Sequence, residues 1–183
     1  MIISKKEFLK NKEEYILKIK LGAVFIYPTD TIYGIGCIAT NKKSVQKIRK
    51  IKQRNRKQFS VIAPSKKWIR KNCKMSKQAE LYLKKLPGRY TLILKLNKKQ
   101  VSPNPKIGTL GIRMPKHWVT KVIKKLKQPI ITTSVNSANR KYMTSLKNLE
   151  KKIKSNVDFI VYEGYVNKKP SKIINTITNR RLR

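Results

Sequence analysis

Short apolar runs alternate along the whole chain with stretches whose apolar residues recur at helical spacing, and that alternation most narrows the folds open to it. Gly22-Ala23-Val24-Phe25-Ile26 reads as a buried strand closed by turn residues, and 59–63, 90–96, 109–113, 130–133, 157–162 and 173–177 read as further strands. Ser4 and Glu7 form a capping box ahead of Phe8, Tyr15, Ile16 and Ile19, which predicts one amphipathic helix ending before Leu21. Asn41 is placed to cap a second helix with Val45, Ile48 and Ile51 on its apolar stripe and Lys47, Arg49, Lys50 and Lys52 facing out. Ser65 opens a short helix, Ser76 another that stops at Pro87-Gly88, and helices are expected over about 116–127 and 144–154. Val101-Ser102-Pro103-Asn104-Pro105 reads as a stiff surface loop. The sum is an α/β domain with one sheet and no repeat, and 183 residues with 39% hydrophobic content predict a single domain over 1–183.

Charge is the second constraint. Lys and Arg number 46 against eight acids, a formal net charge of +38, which opposes compaction unless counterions or polyanions sit on the surface. The lysines are scattered in pairs from Lys5-Lys6 to Lys168-Lys169, so a drift toward Lys on solvated faces and an RNA-binding surface both fit. Cys37 and Cys73 have neither CxxC spacing nor a histidine cluster, which argues against a structural zinc or a disulfide scaffold. The opening residues lead into charge, and no run nears the roughly eighteen apolar residues of a membrane span. A cytoplasmic protein without signal peptide or membrane anchor is the expectation.

The loop after the first strand, Tyr27-Pro28-Thr29-Asp30-Thr31-Ile32-Tyr33-Gly34-Ile35-Gly36, gathers hydroxyls around one carboxylate between residues that allow tight backbone geometry. It suits a ligand-binding loop or a strand-to-helix turn that caps its own backbone. With eight acids and the single His117 there is no carboxylate pair, HExxH, Ser-His-Asp set, GxGxxG or GxxxxGK[ST]. Cations and hydroxyls remain, and these suit polyphosphate chemistry, where catalysis is chiefly positioning and charge neutralisation. Three groups stand out. Lys52-Gln53-Arg54 is either a solvated helix end or a phosphate grip, Ser134-Val135-Asn136 either a turn or a ligand contact at the carboxyl edge of the sheet. In Thr109-Leu110-Gly111-Ile112-Arg113, strand alternation puts Thr109, Gly111 and Arg113 on one face, and an Arg there needs an anion unless it reaches water.

These motifs occur in an order that resembles the YrdC-like family, the threonylcarbamoyl-AMP synthases: Tyr-Pro-Thr-Asp-Thr-Ile-Tyr-Gly, then Lys-x-Arg, Thr-x-x-x-Arg-x-Pro and Ser-x-Asn. The resemblance covers nearly the whole chain. It implies a twisted mixed parallel and antiparallel sheet flanked by helices, with a large basic concave cavity. It further implies synthesis of threonylcarbamoyl-adenylate and diphosphate from L-threonine, bicarbonate or CO2, and ATP, with Mg2+ carried mainly by the ATP phosphates. The product would be used by partner threonylcarbamoyl-transferase proteins to modify the adenosine beside the anticodon of tRNA, which the basic surface would contact. By the same resemblance Lys52 and Arg54 are the catalytic, phosphate-holding cations; Thr31, Arg113, Ser134 and Ser171 contact threonine; and Lys57, Thr109, Asn136, Thr144 and Arg183 join Lys52 and Arg54 on ATP. His117 falls where the family often has Pro-x-His and is expected to pack or cap.

The sequence also departs from the pattern. Asn55 replaces the usual Pro after Lys-x-Arg, the segment to Phe59 is one residue short, so that Lys57 and Gln58 compete for the next phosphate-facing place, and Arg89 stands where Pro is common. The usual Ser-Gly after Ser-x-Asn is Ala138-Asn139, and the end at Arg183 implies no second domain of the kind longer relatives carry. Two other readings stay open: a non-catalytic module of the same fold that binds double-stranded RNA or tRNA, and carbamoyl transfer in hydrogenase maturation, which the lack of acylphosphatase-like or zinc-finger segments disfavours.

Overall fold

The computed structural model describes residues 1–54, 57–97, 103–104 and 108–183. The chain opens with strand β1 (Ile2–Ser4), helices α1 (Lys5–Lys10) and α2 (Lys12–Lys20), strands β2 (Phe25–Tyr27) and β3 (Gly34–Gly36), and helix α3 (Lys42–Lys52). Strand β4 (Ser60–Ile62), helices α4 (Lys66–Asn72) and α5 (Lys77–Lys84), and strands β5 (Tyr90–Lys95) and β6 (Thr109–Arg113) form the middle. Helix α6 (Val119–Leu126), strand β7 (Ile130–Ser134), a 3-10 turn (Leu146–Asn148), helix α7 (Lys151–Asn156) and strands β8 (Phe159–Tyr162), β9 (Lys172–Asn175) and β10 (Arg180–Arg181) complete it. The strands join in one mixed sheet ordered β1-β8-β2-β3-β7-β4-β6-β5-β9-β10. β8 runs parallel to β1 and β2, β4 parallel to β6 and β5 parallel to β9, whereas the β2-β3-β7-β4 run is antiparallel throughout.

Local chemistry accounts for the helix starts. Ser4 Oγ accepts from the Glu7 N–H at 3.1 Å while the Ser4 N–H donates to Glu7 Oε2 at 2.6 Å, and Asn41, Ser65 and Ser76 each accept from the N–H three residues on. Several expectations change. The single first helix is two, broken at Asn11, whose ψ of 33° leaves the helical region. The helix expected over 144–154 is the 3-10 turn followed by α7. β1, β3 and β10 are strands that no apolar run announces; Gly34-Ile35-Gly36 has poor strand propensity but is paired on both sides, to β2 and β7. The supposed surface loop at 101–105 lies mostly outside the described residues, but Asn104 is buried, its side chain trading hydrogen bonds with both the N–H and the carbonyl of Phe59.

Two cores sandwich the sheet. One gathers Val45, Ile48 and Ile51 of α3 with Ile69, Ala79, Leu83 and Ile153 from α4, α5 and α7. The other is built on Phe8, Tyr15, Phe25 and Phe159, with neighbouring ring centroids 5.1 Å apart, and on Val119, Val122, Ile123 and Leu126 of α6. Strand alternation sends Phe25 and Tyr27 into the second core and Ile26 into the first. The second core draws no residue from β5, β6 or β9, so among the described residues no helix packs on that face over those strands.

All eight acids are engaged: Glu7 in its capping box, Glu13, Glu14, Asp30, Glu80, Glu150, Asp158 and Glu163 with cations. The remaining positive excess repels itself. The melting temperature is therefore expected to rise by several degrees when ionic strength goes from about 0.01 M to 0.15 M, as the screening length contracts from about 30 Å to 8 Å. A calorimetric salt series checks this; a protein held by its surface ion pairs would respond in the opposite sense.

Candidate functional site

The bare stretch of sheet is the floor of a cavity of about 240 Å3. Ser60, Arg113, Thr91 and Ile173 line it from adjacent strands β4, β6, β5 and β9, and Thr132 and Ser134 continue the floor on β7. Gly111 leaves room there for the Ser60 hydroxyl, since a Cβ on it would lie 2.4 Å from Ser60 Oγ and force that side chain to rotate. The walls come from the β2–β3 loop (Thr29, Thr31, Ile32, Tyr33), the segment after α3 (Arg54, Gln58), Tyr142, the segment before β9 (Pro170, Ser171) and the terminal Arg183. The site thus rests on a face of the sheet rather than only at its carboxyl edge. A second cavity of about 300 Å3, lined by Lys52, Gln53, Arg54, Lys57, Ser134, Asn136 and 137–139, shares Arg54 and Ser134 with the first.

Within the main cavity the β2–β3 loop is rigid by construction. Thr29 Oγ1 donates to the Ile32 carbonyl at 2.7 Å and accepts from the Thr31 N–H at 3.1 Å, and the two threonine hydroxyls lie 3.0 Å apart. The Tyr33 hydroxyl donates to the Gly164 carbonyl and accepts from the Glu163 N–H. The anion that Arg113 requires is supplied in part by the protein: Nη2 donates to Asp30 Oδ1 at 2.8 Å and to Thr31 Oγ1 at 3.2 Å, and the Lys116 N–H holds Asp30 Oδ2 at 2.8 Å. Both members of the pair are under a tenth exposed. The Nε of Arg113 and the Nε of Arg54 are buried and have no hydrogen-bond partner among the described residues. Burial pushes both guanidinium groups down from their ordinary values, yet an arginine stays charged, so each side chain keeps one N–H unsatisfied within the described protein. Thr91 and Ser171 share a hydrogen bond at 2.8 Å, and Arg183 Nε donates to the Ser171 carbonyl at 3.1 Å.

Of the residues singled out in the sequence, Thr31, Arg54, Arg113, Ser134, Ser171 and Arg183 converge on the main cavity. Lys52, Lys57 and Asn136 line the adjoining one. Thr109 and Thr144 line neither: Thr109 sits four residues, about 13 Å of strand, from Arg113, and Thr144 bonds to Asn148. Lys52 is buried rather than facing outward, because it falls four residues after Ile48 and seven after Val45, on the buried stripe of α3, whose end is marked by the left-handed Gln53. Asn139 has φ of 62°, the positive angle that lets it stand for glycine. Asn55 lies outside the described residues. His117 Nε2 lies 3.2 Å from Glu163 Oε2, to which it can only donate, burial pushes its pKa down, and it lines neither cavity. Ser60, Thr91 and Tyr142 were not foreseen; for Ser60 and Thr91 the signal available was a polar residue inside an otherwise apolar strand.

A single α/β domain with a cationic, hydroxyl-lined hollow on its sheet is the class defined by this geometry. The chain belongs to the Sua5/YciO/YrdC family, whose model, described as telomere recombination, matches residues 18–183. It is 32% identical over 171 residues to a putative threonylcarbamoyl-AMP synthase of Methanocaldococcus jannaschii, covering 92% of this chain and 78% of that one. It is 29% identical to the threonylcarbamoyl-AMP synthase of Buchnera aphidicola from Acyrthosiphon pisum, covering 87% and 95%. Among solved structures, P. abyssi Sua5 complexed with L-threonine superposes with a TM-score of 0.79 at 21% identity, over 96% of this chain and 54% of that one. The chain therefore spans about half the length of that solved protein.

Proposed function

We propose that this chain is a threonylcarbamoyl-AMP synthase, forming threonylcarbamoyl-adenylate and diphosphate from L-threonine, bicarbonate or CO2, and ATP, for modification of the adenosine next to the anticodon in tRNA. The observation that carries the reading is the chemistry of the main cavity: three arginines from distant parts of the chain, eight hydroxyls of Ser and Thr, and no Asp, Glu, His or Lys among the lining residues. Such a lining binds anions and directs small polar groups; it has little to offer proton transfer. The names of the relatives and the threonine in the Sua5 complex agree with it.

In this reading Arg113 offers its guanidinium to the carboxylate of threonine while Asp30 fixes the orientation of its fork, and Thr31, Ser134 and Ser171 bond the rest of the amino acid. The amine takes up CO2 as a carbamate, whose oxygen attacks the α-phosphorus of ATP as the bond to the β-phosphate oxygen breaks and diphosphate leaves. Arg54, at the junction of the two cavities, and Lys57 beyond it neutralise the phosphates, with Arg183 on the nucleotide from the other side. Thr109 and Thr144 carry no part in this arrangement. The site residues do not fit a protein-held magnesium ion, because the carboxylate nearest the cavity, Asp30, is already committed to Arg113 and the Lys116 N–H. Magnesium belongs to the substrate, as MgATP. Partner transferases would take up the adenylate in the cytoplasm.

Incubation with ATP, bicarbonate and labelled threonine should release diphosphate only when all three are present, and release indifferent to threonine would reject the proposal. Arg54→Ala is expected to lower that rate about 100-fold, the scale of one lost charge-assisted contact in a desolvated site.

A second reading, RNA binding without turnover, has one observation in its favour. Arg89, Tyr90, Lys169, Lys172, Arg181 and Arg183 line a groove of about 610 Å3 that meets the main cavity at Pro170 and Arg183. The two readings separate on salt: contacts to Z phosphates of single-stranded RNA give a log-log slope of about −0.7Z, whereas threonine in a pocket responds weakly.

A further inference from the structure

The structure assigns Lys52 a positioning role: its buried ammonium pins the turn 134–136 that presents the Ser134 hydroxyl to the cavity, and through that turn it sets the affinity for threonine. The inference rests on the reading of the cavity as a threonine and ATP site, and it departs from a phosphate contact for Lys52. A lysine ammonium has three donors. Here they face the Ser134 carbonyl, the Asn136 carbonyl at 2.6 Å and Asn136 Oδ1 at 3.4 Å, so none is left over for a phosphate. The backbone closes the same clamp, the Ala138 N–H donating to the Lys52 carbonyl at 3.2 Å. Lys52 is only 3% exposed, and burying a cation is costly unless it is matched by acceptors, which is what the turn supplies. Burial, with Arg54 acting in the same direction, pushes its pKa down to about 8.

Asn136 completes the device. Its Nδ2 donates to the Ser137 and Arg140 carbonyls, each at 2.9 Å, and its Oδ1 accepts from Ser134 Oγ as well as from Lys52. Every polar atom of the amide is thus used inside the turn. Because the Ser134 hydroxyl gives its hydrogen to Asn136, the oxygen meets the cavity as an acceptor. That suits a donor on the ligand, the amine or hydroxyl of threonine, and does not suit its carboxylate or a phosphate oxygen. Lys52 and Asn136 act on the ligand through Ser134.

The test measures threonine alone and ATP alone binding to the parent protein, Lys52→Met, Asn136→Ala, Ser134→Ala and Lys52→Met/Ser134→Ala, by calorimetry, together with hydrogen exchange of the ligand-free proteins. Lys52→Met is expected to weaken threonine about 10-fold, to add almost nothing in the Ser134→Ala background, and to speed exchange at residues 134–138. Lys52→Met that binds threonine as the parent does and loses only ATP overturns the inference, as do additive losses in the double variant. Should Lys52→Met fail to fold, Asn136→Ala carries the same comparison: weakened threonine supports the role, weakened ATP alone overturns it. A parent protein that binds no threonine, whatever the exchange shows, overturns the functional reading and the inference with it.

Discussion

Arg113→Ala is expected to cut threonine-dependent diphosphate release by about 100-fold or more and to destabilise the protein by about 3 kcal/mol, a double loss that few single substitutions here would produce. The functional part follows from removing the guanidinium, one of three that line a cavity otherwise rich in hydroxyls. The stability part follows from Asp30, which is 9% exposed at its side chain and would keep only the Lys116 N–H. An unpaired buried carboxylate is what makes breaking such a pair expensive. Asp30→Asn combined with Arg113→Ala should therefore recover much of the stability and none of the activity. Urea unfolding of both variants beside the diphosphate assay checks the split, and an Arg113→Ala protein as stable as the parent would show that the Asp30 pair is not needed for folding.

Gly36→Ala is expected to cost about 3 kcal/mol or more, or to prevent folding. A Cβ there would stand 2.1 Å from the Ile131 carbonyl oxygen, a backbone atom in the strand next to β3 that has no rotamer to change. Moving it means separating β3 from β7 in the middle of the sheet, between the strand that carries Ser134 and the loop that carries Thr31. Gly108→Ala is the control: among the described residues nothing lies within 4 Å of the added carbon, and its effect should stay within about 0.5 kcal/mol. Denaturant midpoints compare the two. The sequence suggested that this stretch allows tight backbone geometry; at Gly36 the close neighbour is the protein's own backbone.

Much of the architecture was legible because its signals are local. Ser4, Asn41, Ser65 and Ser76 cap the helices they were expected to cap, since each needs only an N–H three residues away. The longer apolar strands stand out because at least one of their faces is packed into a core. β3 did not, since two of its three residues are glycine and its pairing depends on β2 and β7, about ten and a hundred residues away along the chain. The break at Asn11 depends on how α1 and α2 pack, which no periodicity reports.

The candidate site divides in the same way. The amino-acid sequence by itself determined which chemistry is available, because 46 cations, abundant hydroxyls and eight acids exclude most catalytic sets wherever they end up in space. It also marked, through ordered motifs, six of the residues that meet in the main cavity. Only the tertiary structure decided which cations face a ligand and which are spent on the protein itself. Lys52 and Arg54 are two residues apart and look alike in the chain, yet one ammonium is enclosed by carbonyls while the other residue lines the main cavity with a guanidinium. The physical reason is that partners for a buried charge come from segments distant in sequence, Asp30 for Arg113 and the 134–136 turn for Lys52, and a pattern of residue types carries no record of those distances.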